Sequence, residues 1–205
     1  MTTWAFLSDV HGNVAALERA LAQCRERGVE HYGFLGDFLG RGDPDGVIER
    51  VRELGEVVIT GNRDIDWADR VSPATRDYVQ SLPRRVLYDG FVVAHGDPKL
   101  DRQLNVNDLR RGAPKTFDLM RESGARLYFF GHTHHARSWT KANRESAPEL
   151  VATPRLSLSD LEAEKIAIVN VGTTGLPFPG KGPAAFVVLD DAPDGYVEHV
   201  VILKE

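Results

Sequence analysis

Seven residues able to ligate a metal stand at the same kind of place along this chain, just after an apolar run. They are Asp9 and His11 in "SDVHGN", Asp37 in "LGDF", Asn62 in "TGNR", His95 in "AHGD", and His132 and His134 in "GHTHH". Imidazole nitrogen and carboxylate oxygen both suit Zn, Mn, Fe and Co, and asparagine can add a carbonyl oxygen. Glycines lie beside them (Gly12, Gly36, Gly61, Gly96 and Gly131), where the backbone can turn sharply and approach a ligand closely. Taken singly, each piece has a plainer reading. "DVHGN" can be a turn running into a helix cap, "GD" and "GN" are common turns, and a lone histidine is often only a satisfied polar residue. His132 and His134, two apart on an extended segment, point the same way. Five such loops in one chain are not explained by unrelated turns.

The elements that must carry these loops are legible as apolar runs. "TWAFLSD" (3–9), "YGFLGD" (32–37), "VVITGN" (57–62), "VVAHGD" (92–97) and "LYFFGHTH" (127–134) read as buried strands running into polar loops. Within 13–27, Val14, Leu17, Leu21 and Cys24 share one helical stripe, with Gly28 placed to end the helix. Val47, Ile48, Val51 and Leu54 mark a second helix over 44–54. Ser72 followed by Pro73 is an N-cap and first-turn proline opening a third, and 114–123 reads as a fourth. Beyond residue 150, "KIAIVNVG", "AAFVVLD" and "YVEHVVIL" read as antiparallel strands that extend or back the first half, while 98–113 and 135–149 read as long loops. Strands alternating with helices mean an α/β layered fold. In open α/β sheets ligands collect beyond the carboxyl ends of the strands, so the seven side chains can converge. At 205 residues, one domain over 1–205 is expected.

The net charge of −5 argues against an extended basic surface for nucleic acid or anionic lipid, though not against a local positive site. Cys24 is the only cysteine, so nothing asks for an oxidising compartment. "MTTWAFLSDVHGN" lacks a basic segment followed by an apolar core, and no run is long enough to span a membrane. The expectation is a soluble cytoplasmic protein with no membrane partner. Oligomeric state is open.

In order and spacing, "DVH" (9–11), "GD" (36–37), "GN" (61–62), "AHGDP" (94–98) and "GHTH" (131–134) resemble the calcineurin-like metallophosphoesterases, whose signature is D-x-H, G-D, G-N, a lone His and G-H-x-H. The resemblance runs from about residue 4 to 135 and extends to "NVGTTGLPFPGKGPAAFVVLD" (170–190), similar to a late loop and strand of the small bacterial and archaeal members. It implies a layered sandwich of two mixed β-sheets flanked by helices, with the metal site at the carboxyl ends of the strands. It also implies two divalent ions bridged by Asp37, with Asp9, His11 and His134 on the first and Asn62, His95 and His132 on the second. Manganese is the first expectation, with Fe, Zn, Co or Ni as alternatives. Such a pair clamps a phosphoryl group and acidifies a bound water to give hydroxide near neutral pH. Two carboxylates against two dications leave a local positive excess, which explains how an acidic protein attracts a phosphate ester.

The chain departs from the family pattern at Arg63. The protein phosphatase branch has Gly-Asn-His there, the His protonating the leaving oxygen with an Asp partner; here the two positions are Arg63 and Gly40. A guanidinium stays protonated, so Arg63 is no ordinary general acid. Three readings compete: Arg63 binds a phosphate oxygen and stabilises the transition state, it braces the loop through Asp64 or Asp66, or it points to solvent. Arg41 is either a second phosphate contact or a solvated loop arginine. Together Asn62, Arg63 and Arg41 are the expected substrate contacts, with Arg63 and Arg41 the catalytic candidates. The small diesterase branch also lacks His at this position, which favours a phosphodiesterase or a nucleotide phosphoanhydride hydrolase. The alternatives are a phosphomonoesterase or protein phosphatase, a dinucleoside polyphosphate hydrolase, and a metal-binding scaffold without turnover. The expected partner is a small phosphate ester or nucleotide. Weaker candidates are His135 and Asp97 as proton donors, Arg102, Arg110, Arg111 and Lys115 as anion contacts, and Trp139 as a base-stacking or strand-plugging ring.

Overall fold

The computed structural model describes residues 2–96, 111–161 and 164–203. Asp97, Arg102 and Arg110, with most of the expected 98–113 loop, lie outside the described residues. Three parallel strands begin one sheet: β1 (Thr3–Leu7), β2 (His31–Phe34) and β3 (Gly55–Val58). They are joined by α1 (Val14–Glu26) and α2 (Pro44–Leu54). The sheet continues antiparallel from β1 through β11 (Ala185–Asp190), β12 (Tyr196–Val201) and β9 (Arg155–Ser157).

The second sheet has the order β4 (Arg85–Tyr88), β5 (Phe91–Ala94), β6 (Leu127–Phe130), β10 (Ile166–Asn170), β7 (Arg137–Lys141) and β8 (Glu149–Leu150). Within it β5, β6 and β10 are parallel and the other pairings antiparallel. Thus β11 and β12 pair antiparallel as the sequence suggests, whereas β10 runs parallel to β6. Nor is 135–149 one long loop: Trp139 and Thr140 lie on β7, paired with Ile168 and Ala167 of β10.

Strand alternation builds the layers. On β1, Trp4 and Phe6 face between the sheets with Phe91, Val93, Phe129, Val169 and Val187, and the Phe6 and Phe129 rings stack at 4.1 Å. Ala5 and Leu7 face the other way, onto Leu17 and Leu21 of α1 and Val47 and Val51 of α2. On the second sheet Tyr128, Phe130 and Ile168 pack against Phe117 and Met120 of α5 (Pro114–Ser123). The result is two mixed sheets face to face with helices outside.

Capping sets where the helices start. Asn13 accepts from Ala16 N–H at 3.0 Å to open α1, and Asp43 accepts from Gly46 N–H at 2.9 Å to open α2. Ser72 accepts from Thr75 N–H at 3.2 Å ahead of Pro73, opening α4 (Pro73–Ser81). Cys24 lies buried on α1, and burial pushes its thiol up to about 12, a core residue with no reactive thiolate. Trp139 packs its ring on Phe130 at 6.4 Å, a packing role.

Candidate metal centre

The loops after β1, β2, β3, β5 and β6 meet at one end of the sandwich. Backbone hydrogen bonds zip the first two together: Asp9 N–H to Gly36 O at 3.0 Å, His11 N–H to Asp37 O at 3.0 Å and Gly12 N–H to Phe38 O at 2.8 Å. Gly36 has φ +85, and a Cβ there would collide with the backbone nitrogen of Gly61. Its glycine therefore serves the approach of one loop to another rather than the approach of backbone to ligand.

Two groups of ligand atoms result. Asp9, His11 and His134 form one; Asp9, Asp37 and His95 form the other, the atoms of each lying within 4.8 Å of one another. Asp9 Oδ1 is 3.1 Å from His134 Nε2 and 3.7 Å from His11 Nε2. Asp37 Oδ2 is 3.4 Å from His95 Nε2 and 3.8 Å from His11 Nε2. Asp9 therefore shares with Asp37 the position between the two histidine sets. His132 Nδ1 and Asn62 Oδ1 face each other at 2.9 Å beside them.

The outer atoms of these side chains are tied down. His95 Nδ1–H donates to Leu35 O and His134 Nδ1–H to Leu176 O, both at 2.6 Å, so each presents Nε2 to the centre. Asp9 Oδ2 accepts from His132 N–H at 2.9 Å, and Asp37 Oδ1 accepts from Arg63 N–H at 2.7 Å. Asp9 Oδ1 and His95 Nε2 remain, both buried and without a well-aligned hydrogen bond, their near neighbours being other candidate ligand atoms, His134 Nε2 and Asp37 Oδ2. Buried polar atoms are rarely left so, and a carboxylate oxygen and an imidazole nitrogen are what a divalent cation requires. The donor set fits a metal.

Electrostatics agree. Burial alone would raise the Asp9 carboxyl, but His95, His11 and His134 outweigh it and hold it well below the usual carboxylate range. Burial alone would lower His95, but Asp37 and Asp9 push it up to about 10.

The backbone carries a cost that periodicity does not reveal. Asp9, His11, Asp37, His132 and His134 all have positive φ, between 52° and 67°; Ala113 is the one other non-glycine residue so placed among the described residues. Left-handed backbone costs an ordinary residue about 1–2 kcal/mol, and such strain gathers at functional sites.

Sequence reasoning missed Asp64, treating it only as an arginine's partner. Asp64 is fully buried at the start of α3 (Asn62–Asp66). Its carboxylate accepts four backbone N–H groups: Asp37 and Gly61, each at 2.8 Å, Phe38 at 2.7 Å and Leu39 at 3.0 Å. The Arg63 side chain pairs with neither Asp64 nor Asp66; it is exposed and lines a cleft of about 800 Å³ over the centre, as does Arg41. Trp67, Leu176 and Phe178 also line that cleft. His135, Arg111 and Lys115 are not among its described lining residues.

A family model for the calcineurin-like phosphoesterase superfamily domain matches residues 3–192. MJ0912 of Methanocaldococcus jannaschii is 24% identical over 212 residues, covering 91% of this chain and 82% of its own. A metallophosphoesterase from Sphaerobacter thermophilus superposes with a TM-score of 0.80 at 22% identity, covering all of this chain (100%) and 89% of the other. An archaeal phosphodiesterase superposes at 0.55 and 17% identity, covering 98% and 99%. At these identities the superpositions speak to fold alone. With the family model spanning nearly the whole chain, and its loops meeting as described, this protein belongs to the calcineurin-like phosphoesterase superfamily.

Proposed function

We propose that this chain is a dinuclear metal-dependent phosphoesterase that prefers phosphodiesters. The observation that carries the reading is the pair of buried ligand atoms without a well-aligned hydrogen bond, Asp9 Oδ1 and His95 Nε2, at the meeting point of two ligand groups. Asp9, His11 and His134 would hold one ion and His95, Asn62 and His132 the other, with Asp37 between them. Two divalent ions, Mn²⁺ first, would supply a clamp on phosphoryl oxygens and an acidified water.

The remaining roles belong to the chain's own groups. Arg63 N–H fixes Asp37 by one oxygen, so the other is turned to the centre. Arg63 and Arg41 line the cleft, and their guanidiniums would bind nonbridging phosphate oxygens and stabilise charge as it develops. Neither can protonate a leaving oxygen. With Gly40 and Arg63 where the phosphatase branch has its Asp and His, a basic alkoxide leaving group is poorly served; aryl, enol and nucleotide leaving groups need less help. That supports the diester preference. Rates of the Mn²⁺-loaded protein on bis(p-nitrophenyl) phosphate and p-nitrophenyl phosphate test the reading. A higher kcat/KM on the diester is expected; a higher value on the monoester overturns the preference, and no turnover of either overturns the hydrolase reading.

A further inference from the structure

The segment that follows β10 holds two large apolar side chains exposed beside the metal centre. Leu176 is 40% and Phe178 45% exposed, and both line the cleft. The backbone carrying them is fixed. Thr174 N–H donates to Ser8 O at 2.8 Å and Gly175 N–H to Asp9 O at 3.1 Å. Thr173 Oγ1–H donates to Asp9 O at 2.9 Å, while Asn13 Nδ2–H donates to Gly175 O at 3.0 Å. Leu176 O takes the His134 Nδ1 proton, and the Phe178 ring lies 4.7 Å from the His134 ring, tilted by 36°. A Cβ at Gly175 would collide with the Val10 carbonyl, so glycine is what lets the segment pack this close to the loop after β1. Leu176 and Phe178 together form an apolar wall of the cleft, and an apolar patch at a cleft marks a contact surface; this one adjoins the ligand group of Asp9, His11 and His134.

We propose that Leu176 and Phe178 form the recognition wall for a planar aromatic group carried by the phosphate ester, as the base of a nucleotide is. This rests on the reading of the centre as a phosphoesterase site. An ester substituent on the His134 side meets Phe178 and Leu176 first, while Arg41 and Arg63 supply the cleft's positive charge. Stacking on an aromatic side chain tolerates any base, because every base has a π-face. The wall therefore selects for an aromatic substituent without reading its identity.

The test is calorimetric binding of AMP and of inorganic phosphate to the Mn²⁺-loaded protein, for wild type, Phe178→Ala, Phe178→Tyr and Leu176→Ala. Wild type is expected to bind AMP about tenfold more tightly than phosphate, an advantage in the range of one stacking contact. Phe178→Ala should lose about tenfold in AMP affinity at unchanged phosphate affinity, Phe178→Tyr should restore it, and Leu176→Ala should lose a smaller part. Equal affinities for AMP and phosphate in wild type overturn the proposal, as does a Phe178→Ala shift that is absent or equal for both ligands. Hydrolysis of bis(p-nitrophenyl) phosphate by wild type separates the two readings. Turnover with no base preference overturns the wall alone; neither turnover nor phosphate binding overturns the phosphoesterase reading and the wall together.

Discussion

Asp64 takes the backbone N–H of Asp37 on its Oδ2 at 2.8 Å, and the same oxygen takes the N–H of Gly61 at 2.8 Å. One buried carboxylate thus joins the loop after β2 to the loop after β3. Burial and the neighbouring Asp37 push Asp64 up to about 6, against the pull of the N–H groups of Gly61 and Leu39. Replacing Asp64 with alanine leaves four buried donors without an acceptor, each costing about 1–3 kcal/mol. Urea denaturation of the metal-free Asp64→Ala protein should show a loss of about 3 kcal/mol or more, and Asp64→Asn a smaller one. A loss below about 1 kcal/mol for Asp64→Ala would show that the bracing is not needed.

Arg63 bonds to the centre only through its backbone N–H to Asp37 Oδ1, which any non-proline residue keeps. Arg63→Ala should therefore leave Mn²⁺ affinity intact and lower kcat/KM about 100- to 1,000-fold, the scale of losing one charge-stabilising donor. Equal activity in the two proteins would make Arg63 a solvated loop residue.

Strain at the ligands separates into a measurable quantity at His11, whose φ is 52°. His11→Ala and His11→Gly both remove the imidazole, but only glycine relieves the left-handed backbone. In metal-free protein the glycine variant should be more stable than the alanine variant by about 1 kcal/mol. Equal stabilities would mean that the loop relaxes without cost.

At the second-sheet side of β12, His199 Nε2 lies 3.0 Å from Ser138 Oγ, and its Nδ1 is buried without a partner. Burial pushes the ring down to about 4. A depressed histidine favours the folded state above the unfolded value of about 6.5, and that stability is lost as pH falls from there toward 4. Between pH 7.5 and 5, wild type should lose about 1–2 kcal/mol more than His199→Phe. Parallel stability curves for the two proteins would contradict this.

Helices α1, α2, α4 and α5 were legible because their signals are local, whereas the five-residue α3 was not. The stripe through Val47, Ile48, Val51 and Leu54 places α2, and Ser72 followed by Pro73 places α4, without tertiary information. The short strands β4, β7, β8 and β9 were not legible. Trp139 alternates with no clear partner in sequence, and only its pairing with Ile168 makes it a strand residue. Direction was hidden too, since "KIAIVNVG" reads the same whether β10 runs with or against β6. At the site, residue types and spacing brought Asp9, His11, Asp37, His95 and His134 to attention. The left-handed backbone of Asp9, His11, Asp37 and His134, and the four N–H groups held by Asp64, depend on contacts between loops far apart in sequence. The apolar pair Leu176 and Phe178 had a faint signal, as two large hydrophobics in a Gly- and Pro-rich stretch.

The Mn²⁺-dependent rate of aryl phosphodiester hydrolysis, measured side by side for wild type and Asp37→Ala, tests the central claim most directly. Asp37 Oδ2 lies within 4 Å of histidine nitrogens in both sets, 3.8 Å from His11 and 3.4 Å from His95, so its removal should disable both metal positions. Wild type should turn over the substrate only with added metal, and Asp37→Ala should be slower by at least about 100-fold. Equal rates in the two proteins, or a wild-type rate indifferent to metal, would contradict a dinuclear phosphoesterase.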